Sequence, residues 1–274
     1  MRRALLAVLY FGAIAVALAF LVLPIVAIFT HVPPGRLLDQ LSSPIVRDAL
    51  RVTLKTSLVA QALIVVFGTP LAYFVATRRF HGRSFVITLV ELPIVLPPAV
   101  AGIGLLVAFG RFGLIGRHFG LWQHVSFDWL AVTFAVMLVA GPFYVRQAIA
   151  AFEGVDENLV AASRTLGAGP LRTFFRVVLP LAWSGLAAGE AISLARGIGE
   201  FGATIMFAGS LQGRTQTLSL AVYQEFDSDF DVALAIGALL VLVSLAILLS
   251  LKLTLLWRSS RPTSPSFFAR LSSS

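Results

Sequence analysis

Residues Asp156 to Pro180 read DENLVAASRTLGAGPLRTFFRVVLP, a polar, glycine-punctuated stretch set between long apolar runs. Aspartate is a favoured helix cap and glycine a favoured helix stop, so Asp156 and Gly167 predict a short helix between them. Val155, Leu159, Ala162 and Leu166 would share one face of it. A second helix is expected after Gly169, with Pro170 at the first position, where proline costs no hydrogen bond. It would align Leu171, Phe174, Phe175 and Val178 before Pro180 bends the chain into the next apolar run. The result is a helical elbow, apolar on one side and wet on the other. The small side chains of Ala161, Ala162 and Ser163 suit a helix that docks on a soluble partner. An amphipathic loop resting on lipid headgroups is the other reading.

The flanking sequence sets the environment. Hydrophobic residues make up 58% of the chain and charged residues 12%, with a mean hydropathy of +0.91. No water-soluble core hides that much apolar surface, so the expected class is an all-α integral membrane protein. Crossing a bilayer takes about 20 apolar residues, and six stretches qualify: residues 4–29, 52–77, 85–109, 130–149, 179–207 and 232–257. The fifth is the least regular, because it carries Glu190, Arg196 and Glu200. The first is longer than the apolar core of a cleavable signal peptide and is read as a retained anchor at 1–30. A core at 45–257 would follow, containing the elbow at 153–178, and then a Ser- and Pro-rich tail at 258–274 expected to be disordered.

Lysine and arginine resist translocation, so their distribution sets topology. With the amino terminus inside, thirteen fall in inner segments, Arg78, Arg79, Arg83 and Arg261 and Arg270 among them, and seven in outer ones, such as Arg36, Lys55 and Arg214. Both termini are therefore expected to be cytoplasmic, in a multi-pass protein of the cytoplasmic membrane. The net charge of +8 is accounted for by topology and lipid attraction, with no nucleic-acid role.

Chemistry of its own is not expected of this chain. There is no cysteine, and His31, His81, His118 and His124 are scattered, so no metal site is predicted. No nucleophile motif and no phosphate-binding glycine loop are present, so catalytic residues are not assigned and any ATP must be bound by another subunit.

The elbow resembles the cytoplasmic motif of importer-type ABC transporter permeases, which has the form EAAxxxG, nine residues, then IxLP. Ala161, Ala162, Ser163, Gly167, Val177, Leu179 and Pro180 occupy it in register, with Ala161 where the family has glutamate. The resemblance extends over most of the chain and is nearest to molybdate and tungstate permeases of the ModB type, with sulfate permeases as near relatives. Residues 91–116 (ELPIVLPPAVAGIGLLVAFGRFGLIG) and 195–226 (ARGIGEFGATIMFAGSLQGRTQTLSLAVYQEF) carry that part. It implies a type I, MetI-like permease fold. It also implies a homodimeric pathway, two ATPase subunits holding ATP and magnesium, an extracytoplasmic oxyanion-binding protein, and alternating access. The coupling residues would be Asp156, Glu157, Leu159, Ala161, Ala162, Ser163, Leu166, Gly167, Gly169, Val177, Leu179 and Pro180. Sulfate or thiosulfate import is the alternative within the class. A secondary transporter or channel would call for titratable relays or inverted repeats, and the two halves show no repeat.

Three further features are candidates for the pathway. Pro93, Pro97 and Pro98 remove backbone donors inside the third span, which should kink or break, while Gly102 and Gly104 allow close approach. Pro97 and Pro98 then either line the route or only shape packing. Arg196 and Glu200 are four apart on the fifth span, so they share a helix face and would pair or, with Glu190, help set a gate. Gly202 and Thr204 lie in the same stretch, and Gly197, Gly199 and Gly209 extend a small-residue surface suited to a dimer or explained by packing alone. Finally, Arg214, Thr215, Gln216 and Thr217 form an outer loop whose donors suit an anion or a binding protein, or simply join two spans.

Overall fold

The computed structural model describes residues 2–31, 35, 39–40, 42–119, 125 and 127–259. The expected tail from 260 onward, and Arg36, His124, Arg261 and Arg270, lie outside them. The described secondary structure is helical. We number the principal helices α1 (Arg2–His31), α2 (Pro44–Thr77), α3 (Arg83–Val95), α4 (Pro98–Phe109) and α5 (Trp129–Glu153). They continue as α6 (Glu157–Thr165), α7 (Pro170–Ile198), α8 (Gly202–Ala208), α9 (Leu218–Glu225) and α10 (Phe230–Ser259). Among the described residues, five helices are long and apolar enough to cross a bilayer, and six if the pair α3 and α4, bent by 113°, counts as one broken span. The break follows from Pro97 and Pro98: proline disfavours helical backbone in the residue before it, and Pro98 restarts the helix at the position where it is tolerated.

Several boundaries differ from those expected. Helix α2 starts at Pro44 rather than near residue 52. Its first turns are charged outside yet bury Val46, Ala49, Val52, Thr53 and Thr56, so one packed face sustains a helix where hydropathy alone shows no span. Pro180 does not end the helix. Residues Phe174–Val178 form a π turn, with the Leu179 N–H donating to Phe174 O, and α7 runs on as one 29-residue span to Ile198. The wider turn draws back the carbonyl that a proline ring would otherwise strike. The fifth span ends at Ile198, not near 207, and Arg258 belongs to α10 rather than to a tail.

The residues group into two compact units, each assembled from separate stretches of chain. The first combines residues up to Ala60 with Val95–Val139 and Gly197–Val243. Its core joins Val46 and Ala49 to Leu218, Ala221, Val232 and Ile236. Lys55 Nζ sits 3.9 Å from the centre of the Trp129 ring, a cation held on an aromatic at the start of α5. The second combines Gln61–Ile94, Ala140–Arg196 and the chain from Ser244. In it α5 and α7 approach through Gly185, where a Cβ would come within 2.5 Å of Ala151 Cβ. Thr69 Oγ1 and Tyr144 OH share a hydrogen bond of 2.6 Å between α2 and α5. Without a hydrophobic drive between helices in lipid, small residues and such polar ties supply the association.

Within the first unit, α4 and α8 pack backbone to backbone. A Cβ on Gly102 would lie 2.5 Å from Ala203 O, whereas one on Gly104 meets nothing within 4 Å. Gly102→Val should therefore cost about 1–3 kcal/mol, as overpacking does, and lower the melting temperature in detergent. Gly104→Val should leave it unchanged.

Candidate functional site

The elbow lies in the second unit. Asp156 caps α6, its carboxylate accepting from the Asn158 N–H at 2.9 Å. The far end closes in a Schellman motif: Gly167 N–H donates to Arg164 O (2.9 Å), Ala168 N–H to Ser163 O (3.1 Å), and Gly167 has φ +82°. Gly169 then caps α7, with Pro170 at its start. Ser163 Oγ and Thr173 Oγ1, 3.1 Å apart, fasten the two arms.

Two rings that sequence reasoning passed over, Tyr73 and Phe152, seat this elbow together with Phe174. Tyr73 from the end of α2 meets Phe152 at 5.4 Å and Phe174 at 4.8 Å, each edge to face. The stripe expected on the second arm divides accordingly: Phe174 and Val178 turn inward, Leu171 and Phe175 outward. On α6 no residue is buried, so the apolar face runs outward too, with Leu166 88% and Leu171 76% exposed beside Leu159 and Phe175. Ala161 and Ala162 are exposed between them, while Ser163 and Val177 are half-buried. Among the described residues, the elbow presents an apolar, small-residue surface on a firmly capped frame.

The pathway candidates fall into both units. In the first, Pro98 lies against Gly202, where a Cβ would be 2.9 Å from the proline Cβ, and Thr204 is fully buried with its hydroxyl unpartnered. Gly202 and Ala203 are thus used inside the chain, against Pro98 and Gly102, and Gly209 is a turn residue with φ +68°. Packing inside the chain therefore accounts for Gly202 and Ala203. Glu200 lies beyond the end of α7, so it shares no helical face with Arg196. Its carboxylate accepts from the Ala203 N–H at 2.7 Å, and its carbonyl accepts from Ser219 Oγ at 2.7 Å. Arg196 and Glu190 belong to the second unit. Glu190 lines an apolar cavity of about 770 Å³ with Thr69, Tyr144, Trp183 and Leu186, and its Oε2 is buried without a hydrogen-bond partner.

The outer loop needs a correction. Thr215, Gln216 and Thr217 are buried, Gln216 to 1% exposure. Thr215 Oγ1 accepts from the Leu211 N–H, Gln216 Nε2 donates to Gln224, and Thr217 caps α9. These hydrogen bonds hold the three side chains within the loop and against α9, Gln216 Oε1 is buried without a hydrogen-bond partner, and only Arg214 of the four is exposed. Among the described residues no group of His, Cys, Asp or Glu could hold a metal ion.

A match to the family described as "Binding-protein-dependent transport system inner membrane component" runs over residues 68–261, taking in the elbow and both helix breaks. The chain belongs to that family. It is a permease subunit of the ABC importer class, a multi-pass membrane protein and not itself the ATPase. The molybdenum transport system permease protein ModB of Mycobacterium tuberculosis is 40% identical over 243 residues, 88% of this chain and 91% of that one. The sulfate transport system permease protein CysT of Salmonella typhimurium is 36% identical over 217 residues, 78% of each chain. A bacterial alginate ABC transporter, solved with its alginate-bound periplasmic protein, superposes with a TM-score of 0.73 at 19% identity, over 91% of this chain and 93% of that one.

In this permease the elbow depends on Gly167 for conformation and not for space, since a Cβ there meets nothing within 4 Å. Gly167→Ala and Gly167→Leu should cost the same, roughly 1–2 kcal/mol for left-handed backbone. Hydrogen exchange across residues 157–168 should rise equally in both. Gly167→Asn, better suited to that conformation, should fall between them and the natural residue.

Proposed function

We propose that this permease forms, as a homodimer, the membrane pathway of an importer for a tetrahedral oxyanion, molybdate or tungstate. The observation that carries the reading is the exposed apolar surface of the capped elbow, Leu159, Leu166, Leu171 and Phe175 around Ala161 and Ala162. A rigid, apolar, small-residue knob on a permease is the shape a cleft in a soluble ATPase subunit would take. In this reading two such subunits bind ATP and magnesium and press on the elbow, both termini face the cytoplasm, and the paired broken helices act as the gate. Glu190, Arg196 and Glu200 would set its closed state. An oxyanion-binding protein delivers the cargo outside, with exposed Arg214 as a contact.

The choice of anion follows the relatives named molybdenum permeases, of which this chain matches one over 91% of its length. Sulfate is the second reading, favoured by the match to CysT. Tetrahedral dianions of equal charge differ little in the field they feel, so the two readings separate by assay and not by inspection.

The test is ATP hydrolysis by the permease reconstituted in liposomes with its ATPase and binding protein, titrated with molybdate, tungstate and sulfate. Stimulation by molybdate or tungstate alone is expected; stimulation by sulfate alone would overturn the substrate and keep the importer. Docking has its own check. Leu166→Asp, at an exposed position that leaves the fold untouched, should abolish co-purification of the ATPase subunit while the permease stays monodisperse.

A further inference from the structure

Helix α3 has no buried residue, yet it leads along the chain directly into Pro97 and Pro98. Two ion pairs hold it to α5. At its first residue, Arg83 donates through Nε to Val75 O at 2.9 Å and through Nη2 to Glu153 Oε1, so one guanidinium joins the ends of α2, α3 and α5. About two turns along, Arg146 Nε lies 3.4 Å from Glu91 Oε1. The order of charge is reversed between the pairs: arginine belongs to α3 in one and to α5 in the other. A slide that brought Arg83 towards Arg146 would face like charges, so the two pairs fix one register.

Packing does not do this job. Between the pairs lies a cleft of about 280 Å³ lined by Ile87, Val90, Ile149 and Ala150. In water, exposed pairs such as these contribute little. What two oppositely ordered pairs supply is register between α3 and α5, since like charges meet in a slipped arrangement, and register needs no large pair energy. Glu153 stands three residues before the Asp156 cap, at the base of the elbow. The elbow is continuous by backbone with α5 and α7, whereas α3 is reached along the chain only through α5 and α4.

We propose that the Arg83–Glu153 and Glu91–Arg146 pairs clamp α3 to α5 as one body, making Arg83 and Arg146 positioning residues that carry displacement of the elbow into the broken third span. The proposal rests on the docking reading above.

The natural absence of cysteine provides a clean test. Ile87→Cys and Ile149→Cys, combined and bridged by a short bismaleimide in the reconstituted transporter, should leave molybdate uptake within about twofold of the unbridged protein, well inside the range of a typical coupling energy. Arrest of uptake while ATP hydrolysis continues would show that α3 and α5 must separate, and would overturn the clamp. Independently, Arg146→Glu should retain the ATPase subunit but lower uptake per ATP about tenfold, and adding Glu91→Arg should restore it. A folded double variant that stays uncoupled would also overturn the proposal. If the single variants fail to fold, the cross-link decides alone. Retention of the ATPase subunit by Leu166→Asp would overturn the docking reading, and with it the source of the motion, whatever the cross-link shows.

Discussion

A bilayer gives no water to a backbone N–H or C=O, so each interruption of a membrane helix must satisfy its own polar groups. Among the described residues, two breaks and one π turn are closed locally. After the Pro97 break, the N–H groups of Val100 and Ala101 return to Pro97 O. After the Gly199–Phe201 break, the Glu200 carboxylate takes the Ala203 N–H. In the π turn, Leu179 reaches back to Phe174 O. Because the breaks are closed in this way, the short helices α4 and α8 can lie together through Gly102 and Gly202, and the rest of the first unit is arranged around segments that cross no bilayer alone.

The elbow meets the opposite condition. Its polar ends are capped by Asp156 and by the Schellman turn, its arms are tied by Ser163 and Thr173, and its base is seated on Tyr73 and Phe152. With backbone and base satisfied internally, its apolar side chains are left to point outward. Rigid presentation lowers the ordering cost that a flexible loop would meet on binding, which is the physical sense in which the segment suits a role in transmitting force.

Much of this was legible in the sequence where one residue type has one dominant use. Asp156, Gly167 and Pro170 announced the elbow, and Pro97 and Pro98 announced the break, because capping and proline geometry are local properties. Features that depend on what packs against a residue were not legible. The early start of α2 rests on a buried face within a charged stretch, and the uninterrupted passage through Pro180 rests on a wide turn that no residue type specifies. Thr215, Gln216 and Thr217 look like ligand donors by composition, yet they are buried and hydrogen-bond to Leu211 of the loop and to Gln224 and Leu220 of α9. Arg196 and Glu200 have helical spacing, but the helix stops between them, in a glycine-rich stretch that hydropathy treats as continuous. The ring cluster of Tyr73, Phe152 and Phe174 brings together three distant segments and leaves no mark of spacing.

The π turn at Phe174–Val178 has a consequence for how the two ends of α7 are oriented. A π turn is an α-helix carrying one residue more than its turn requires, and each residue rotates an α-helix by about 100°. The arm that bears Leu171 and the part of α7 that bears Glu190 are therefore out of phase by roughly that angle, relative to an uninterrupted helix. The side chains shown to the solvent and those shown to neighbouring helices can thus be chosen separately, although both lie on one continuous rod.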